Sequence, residues 1–68
     1  MSLKKRSFSL AGHRTSVALE AEFWAVLDQS MQGSSLAALV AKVDAQRGAQ
    51  PLASALRLHA LALVRTQS

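Results

Sequence analysis

Along its first part the chain alternates between polar and apolar side chains, which is the pattern of a half-buried β-strand. Residues 7–10 show the alternation, a flexible point at residues 11–13 interrupts it, and residues 15–19 resume it. One face of the resumed stretch carries Thr15, Val17 and Leu19, and the other face carries Arg14, Ser16 and Ala18. Because no further strand follows in the sequence, we expect this ribbon, spanning residues 4–19, to pair with a copy of itself from another subunit.

After Glu20 the apolar spacing changes to that of amphipathic helices. The first predicted helix covers about residues 21–32 and ends at Gly33, since glycine tolerates the left-handed backbone of a helix C-terminus. The acidic side chains of Glu20 and Glu22 favour the positive end of its dipole. Its apolar stripe consists of Phe23, Val26, Leu27 and Met31.

Two more helices are predicted downstream. The second covers about residues 35–47, and Ser35, or as second choice Ser34, caps its free N–H groups. Gly48 ends it, and the third helix covers about residues 51–66, where the proline at its start suits a first helical turn. The third helix is apolar over so wide an arc that it needs cover on two sides, and we expect the second cover to be another subunit. The arc is formed by Leu52, Leu56, Leu58, Ala60, Leu61, Leu63 and Val64.

These elements predict one mainly α domain over residues 1–68, with an N-terminal β-ribbon and an additional C-terminal helix. A chain this short buries only about 60% of its unfolded surface, and many such chains need disulfides, a metal or a partner subunit. Cysteine is absent, so we expect a homodimer. No internal repeat is apparent. Phe23, Leu27, Leu39, Val43 and Leu56 are expected to be largely buried in the dimer, and Trp24 is expected in the core or at the dimer interface.

The excess positive charge lies at the N-terminus. Residues 1–19 hold four basic and no acidic side chains, whereas the basic and acidic side chains of residues 20–68 balance. A localised basic segment indicates a polyanionic partner, either nucleic acid or an anionic membrane surface. A solvated tail is the alternative interpretation. In the balanced part, Arg57 either pairs with an acid such as Asp28 or Asp44 across the dimer or faces solvent.

Other classes of function find little support in the residues. No run of about 18 apolar residues could span a membrane, and we expect a cytoplasmic protein. His13 and His59 lie too far apart in sequence for a local metal site, so neither a metal nor a cofactor is expected. The chain lacks a nucleophile–base arrangement, a glycine-rich phosphate loop and paired catalytic acids. We therefore expect neither enzymatic activity nor a small-molecule substrate.

Residues 14–19, 21–32, 33–35 and 36–47 form, in turn, a basic strand, a helix, a glycine turn with a serine cap, and a second helix. This order resembles the ribbon-helix-helix superfamily, which includes the Arc and methionine repressors. A closer resemblance is to a bacterial subfamily of mostly uncharacterised ribbon-helix-helix proteins. It rests on Lys5-Arg6-Ser7, Gly12-His13-Arg14-Thr15-Ser16, Leu19-Glu20, Phe23-Trp24 and Ser54-Ala55-Leu56-Arg57.

The resemblance implies a homodimeric transcriptional regulator that inserts a two-stranded β-ribbon into the major groove of double-stranded DNA. On the outward side of the strand, Arg14 could contact guanine, and the Ser16 hydroxyl could donate a hydrogen bond to a base or accept one from it. The free N–H groups at the start of the second helix could bind a phosphate. The candidate DNA-binding residues are Lys4, Lys5, Arg6, His13, Arg14, Ser16, Ala18, Ser34 and Ser35.

Two alternatives accompany this interpretation. Ala18 departs from the superfamily pattern, in which a longer polar or basic residue faces the groove, and it offers only a methyl contact. Together with the leucine-rich third helix, it favours an adaptor module that dimerises without reading DNA sequence. A membrane-surface protein is the other alternative, although interfacial helices combine basic and apolar residues on one element and this chain separates them. The third helix could also mediate assembly beyond the dimer.

Overall fold

A computed structural model describes residues 2–10, 12–30 and 35–66. In these residues an N-terminal β-hairpin is followed by three helices, which confirms the predicted fold class. The elements are β1 (Leu3–Leu10), β2 (His13–Glu20), α1 (Ala21–Gln29), α2 (Leu36–Gln46) and α3 (Leu52–Thr66). Met31, the predicted stop at Gly33 and the alternative cap at Ser34 lie outside the described residues.

The ribbon forms within one chain. β1 and β2 pair antiparallel, with Leu10 opposite His13 beside the turn and Leu3 opposite Glu20 at the open end. The prediction that the ribbon cannot form a sheet within one chain is therefore wrong. Only residues 11 and 12 connect the strands, and Gly12 has a φ of 82°, a conformation that glycine adopts without steric cost. The interruption in the alternation is the reversal between two strands, not a break in one.

One face of the hairpin packs against the helices. β1 contacts α2 and, through side chains of α1, that helix as well, and β2 contacts α1 and α3. Val17 and Leu19 of β2 are buried on this face, as the alternation predicted, and Phe8 and Leu10 of β1 are buried beside them. The core cluster consists of Phe8, Leu10, Val17, Leu19, Trp24, Leu27, Val40, Val43, Ala55, Leu56 and Ala60. A single chain thus encloses a core of its own, with contributions from every strand and helix.

The single chain already buries part of the core that is predicted for the dimer. Leu27, Val43 and Leu56 are buried as expected, but Phe23 and Leu39 are only partly buried in the single chain. Within the single chain their neighbours Trp24 and Val40 are the more deeply buried residues. For α1 the physical reason is visible, since the Trp24 indole N–H donates a hydrogen bond of 2.7 Å to the Lys4 carbonyl oxygen of β1. A buried tryptophan needs such an acceptor, and the strand supplies it.

The helix ends follow local chemistry. The Ser35 hydroxyl accepts a hydrogen bond of 3.1 Å from the Ala38 N–H, so the predicted cap of α2 is confirmed. Gly48 has a φ of 62° just beyond α2, which confirms it as the predicted stop. α1 ends at Gln29, earlier than predicted, and the Ser30 N–H bonds the carbonyl oxygens of the last turn.

α3 buries one side and exposes another. Leu56 and Ala60 lie in the core, whereas Leu58, Leu61 and Val64 are about half exposed, at 55%, 49% and 44%. The wide apolar arc that the sequence predicts is therefore covered on one side only within the chain. None of the helices in the described part of the chain is long and apolar enough to cross a membrane.

Candidate nucleic-acid interface

The side of the hairpin that faces away from the helices carries small polar and basic side chains. Residues directly opposite each other in an antiparallel pair lie on the same face, so the register shows which residues lie on this side of the hairpin. We call this surface the outer face. It consists of Lys5, Ser7 and Ser9 of β1 and Arg14, Ser16 and Ala18 of β2. All of these side chains are exposed except that of Ala18, which is half-buried.

The two long cations of the outer face each lie opposite a small residue. Lys5 is paired with Ala18, and Arg14 is paired with Ser9, so neither cation is crowded by its cross-strand neighbour. Between these pairs the hydroxyl oxygens of Ser7 and Ser16 lie 3.1 Å apart, at hydrogen-bonding distance. Among the described residues, neither Lys5 nor Arg14 takes part in an ion pair. The surface therefore offers two unneutralised cations around a hydroxyl pair.

Glu20 of the hairpin does not neutralise this positive charge, because it pairs with a residue of α3. Glu20, at the end of β2, accepts a hydrogen bond of 3.1 Å from the Arg57 guanidinium of α3. Its own backbone N–H and the Arg57 guanidinium lower the pKa of the Glu20 carboxyl below its ordinary value. Within the chain Arg57 thus pairs with Glu20, and a pairing with Asp28 or Asp44 across a dimer stays a prediction. The charge of the outer face is set by its own lysine and arginine.

Two of the predicted basic residues lie on the helix side of the hairpin. The Arg6 guanidinium donates two hydrogen bonds to the Asp28 carboxylate, at 3.0 and 3.2 Å, and lies 4.7 Å from the ring centroid of Trp24. These contacts join β1 to α1, so Arg6 is engaged within the chain. Lys4 lies opposite Leu19, and its side chain is exposed while its carbonyl oxygen accepts the indole hydrogen bond.

The remaining candidates lie apart from the outer face. His13 is opposite Leu10 beside the turn and borders a surface depression that Asp44 and Arg47 also line. The Ser35 hydroxyl is occupied by capping α2. Ser34 lies outside the described residues. No group of three histidine, cysteine, aspartate or glutamate side chains that could hold a metal ion occurs among residues 2–10, 12–30 and 35–66.

The structure brings Arg14, Ser16 and Ala18 together as predicted and adds three residues of β1. Ser7 and Ser9 were not among the sequence candidates, and the sequence did not place Lys5 on the same face as Arg14. The signal that could have found them is the alternation of residues 7–10, taken as a second strand. The short connection containing Gly12 is itself a hairpin signal.

Comparison with known proteins identifies this arrangement. A family model described as ribbon-helix-helix domain matches residues 3–64, which include the hairpin and nearly all of the three helices. The chain matches no curated protein and no solved structure. Proteins of the matching family are typically dimeric DNA-binding regulators and are generally not enzymes.

Proposed function

The chain belongs to the ribbon-helix-helix family, and from that premise we propose that it is a dimeric transcriptional regulator that places its hairpin in the major groove of DNA. The observation that carries the proposal is the outer face, an exposed two-stranded ribbon of small hydroxyl side chains with two unneutralised cations. A ribbon of two strands fits the major groove, and every second residue of each strand is then directed at base edges. The proposal requires no cofactor, metal or small-molecule substrate.

Each residue of β2 on this face has a role that its chemistry allows. Arg14 can donate two hydrogen bonds to the O6 and N7 acceptors of a guanine. Ser16 can donate to or accept from a base, and the Ala18 methyl group can pack against the methyl group of a thymine. The exposed Lys4 and the N–H groups at the start of α2 near Ser35 are suited to phosphates, which position the protein but carry no sequence information.

The sharpest test of DNA reading is Arg14→Ala. Sequences preferred by the wild type are first selected from random duplex DNA, and affinities are then measured near physiological salt for the preferred and a random duplex. Arg14→Ala should weaken binding to the preferred site by about 1–3 kcal/mol and relax the preference at one position. The matched control is Lys42→Ala, which removes one exposed positive charge from α2. Equal losses on both duplexes for Arg14→Ala would contradict base contact.

The second half of the proposal concerns assembly. In the described part of the chain, Leu58 and Leu61 of α3 are exposed on the same side of the helix. Because proteins of this family are typically dimeric, we expect a second copy of the chain to cover them. We therefore expect the thermal midpoint of the wild type to rise with protein concentration. Leu58→Asp/Leu61→Asp should abolish that rise, whereas Ala41→Asp, an exposed position of α2, should retain it.

Two results would correct this assignment. A dimer that persists in Leu58→Asp/Leu61→Asp would show that the subunits meet elsewhere, for instance along a hairpin edge. A wild type that is monomeric in solution at all concentrations would remove the dimer altogether. Sedimentation velocity distinguishes the two results directly.

An adaptor that dimerises without reading DNA sequence is the alternative function. The observation that favours it is the half-buried Ala18 methyl group at a position suited to a longer side chain, together with the apolar surface of α3. If the wild type binds preferred and random duplex equally near physiological salt, the regulator should be abandoned in favour of the adaptor.

A further inference from the structure

Glu20 occupies the junction between the ribbon and the helices. It is the last residue of β2, and α1 begins at the next residue, Ala21. The Glu20 backbone is extended, with a φ of −59° and a ψ of 147°, so the chain passes from strand to helix without an intervening loop. The direction in which the ribbon leaves the helices therefore depends on this one position.

The side chain of Glu20 does not cap the helix that it precedes. A residue at this position often accepts a hydrogen bond from a free N–H group of the first turn, and glutamate is not among the residue types preferred there. In α1 no such side-chain hydrogen bond forms. The carboxylate instead accepts a hydrogen bond of 3.1 Å from the Arg57 guanidinium, 37 residues further along the chain. Glu20 thus links the junction to α3.

Arg57 lies on a helix that packs against both elements that meet at Glu20. α3 contacts β2 and also α1. The residues that precede Arg57, Ala55 and Leu56, are buried in the core, so the backbone from which the guanidinium extends is held in place by packing. Among the described residues, the pair of Arg57 and Glu20 is the only ion pair between α3 and the ribbon. α3 can therefore act on the junction through this one contact.

The ion pair contributes little to stability by itself. Both side chains are partly exposed, at 34% for Arg57 and 28% for Glu20. Solvent screening and the entropy of two long side chains weaken ion pairs in such surroundings. Its effect on geometry is the greater one, because the hydrogen bond limits how far the end of β2 can move relative to α3.

We propose that Arg57 is a positioning residue, which fixes through Glu20 the angle at which the ribbon extends from the helices. This inference rests on the proposed DNA-binding function and deepens it. In that function the ribbon and the start of α2 contact DNA together, so a change of the angle would lose one set of contacts. Binding sites depend on neighbouring residues that hold them in a fixed geometry. The additional helix α3 thereby takes part in DNA binding without touching DNA.

The test uses the opposite charges of the two residues. Charge alone predicts that Glu20→Ala strengthens binding to DNA, because it removes a negative charge, and that Arg57→Ala weakens it. Positioning instead predicts that both substitutions weaken binding to the preferred duplex, by about 2- to 10-fold near physiological salt. Glu20→Ala/Arg57→Ala should bind about as weakly as the single variants, because the same contact is lost in all three.

Each substitution has a matched control. Glu22→Ala removes an exposed acid from the first turn of α1, so it shares with Glu20→Ala the loss of a negative charge near the positive end of the helix dipole. Arg65→Ala removes an exposed base from the last turn of α3. Thermal midpoints and sedimentation velocity establish that each variant folds and assembles like the wild type. If Arg57→Ala does not fold, Glu20→Ala carries the test, because its expected direction is opposite to the effect of charge.

The outcomes separate this inference from the function on which it rests. Weaker binding by Glu20→Ala, at unchanged or stronger binding by Glu22→Ala, would support the assignment. If Glu20→Ala strengthens binding as Glu22→Ala does, or if the effects of the two single substitutions simply add in the double variant, the inference is wrong while DNA binding stands. If the wild type shows no preference for any duplex near physiological salt, the proposed function fails and the inference fails with it.

Discussion

Trp24→Ala is expected to reduce the free energy of unfolding by about 3–5 kcal/mol, the range for truncating a buried aromatic side chain. Trp24 is only 2% exposed, and its indole N–H bonds the Lys4 carbonyl oxygen at 2.7 Å. Its ring also lies 6.0 Å from that of Phe8 and beneath the Arg6 guanidinium. The substitution therefore opens a cavity and releases β1 from α1 at the same time.

Urea unfolding followed by circular dichroism measures this loss. Trp24→Phe is the control, because it keeps an aromatic ring in the core and removes the indole N–H. We expect it to cost clearly less than Trp24→Ala. A loss below about 1 kcal/mol for Trp24→Ala, the typical cost of an ordinary substitution, would mean that the tryptophan does not anchor the hairpin. Because the outer face depends on that anchor, Trp24→Ala should also lose its DNA preference.

Leu56→Ala is expected to reduce the free energy of unfolding by about 2–5 kcal/mol, since it removes a fully enclosed side chain from the core. Leu56 has no exposed surface and lies where α3 packs on the other elements. Leu58→Ala, two residues further along the same helix, is the matched control because Leu58 is 55% exposed. The two variants thus make one chemical change on opposite sides of one helix.

The dependence of the stability loss on protein concentration distinguishes Leu56→Ala from Leu58→Ala. The loss caused by Leu56→Ala should be similar at all concentrations, because the contacts lie within one chain. Any loss caused by Leu58→Ala should grow as the protein is concentrated, because that side chain serves assembly in our proposal. Equal losses for both variants, independent of concentration, would mean that the inner and outer sides of α3 have been assigned incorrectly.

Much of the local structure was predictable from the sequence. The period of two in residues 15–19 placed Val17 and Leu19 inward, and it placed Arg14 and Ser16 outward. Ser35 and Gly48 marked the ends of α2. These predictions succeeded because capping, glycine stops and strand alternation depend on a residue and its nearest neighbours along the chain.

The helix faces were harder to predict. The apolar spacing of α1 and α2 predicted that Phe23 and Leu39 are buried in the dimer, and within the single chain they are partly buried while Trp24 and Val40 are fully buried. A stripe with adjacent apolar residues defines a helix face only to within about one position, roughly 100° of rotation. The final rotation depends on what the helix packs against. For α1, the Lys4 carbonyl oxygen of β1 helps to fix this rotation because it accepts the hydrogen bond of the Trp24 indole.

The sequence alone determined that an acid-free basic ribbon precedes a helical part and that the outward side of the ribbon is polar. Charge and alternation depend only on the residue types and their order along the chain. Only the tertiary structure showed that β1 pairs with β2 within the chain. It also decided that Lys5 joins Arg14 on the outer face while the adjacent Arg6 is held by Asp28, 22 residues away. Strand pairing and ion pairing join residues that are distant along the chain, so their partners are selected by packing in three dimensions and not by local pattern.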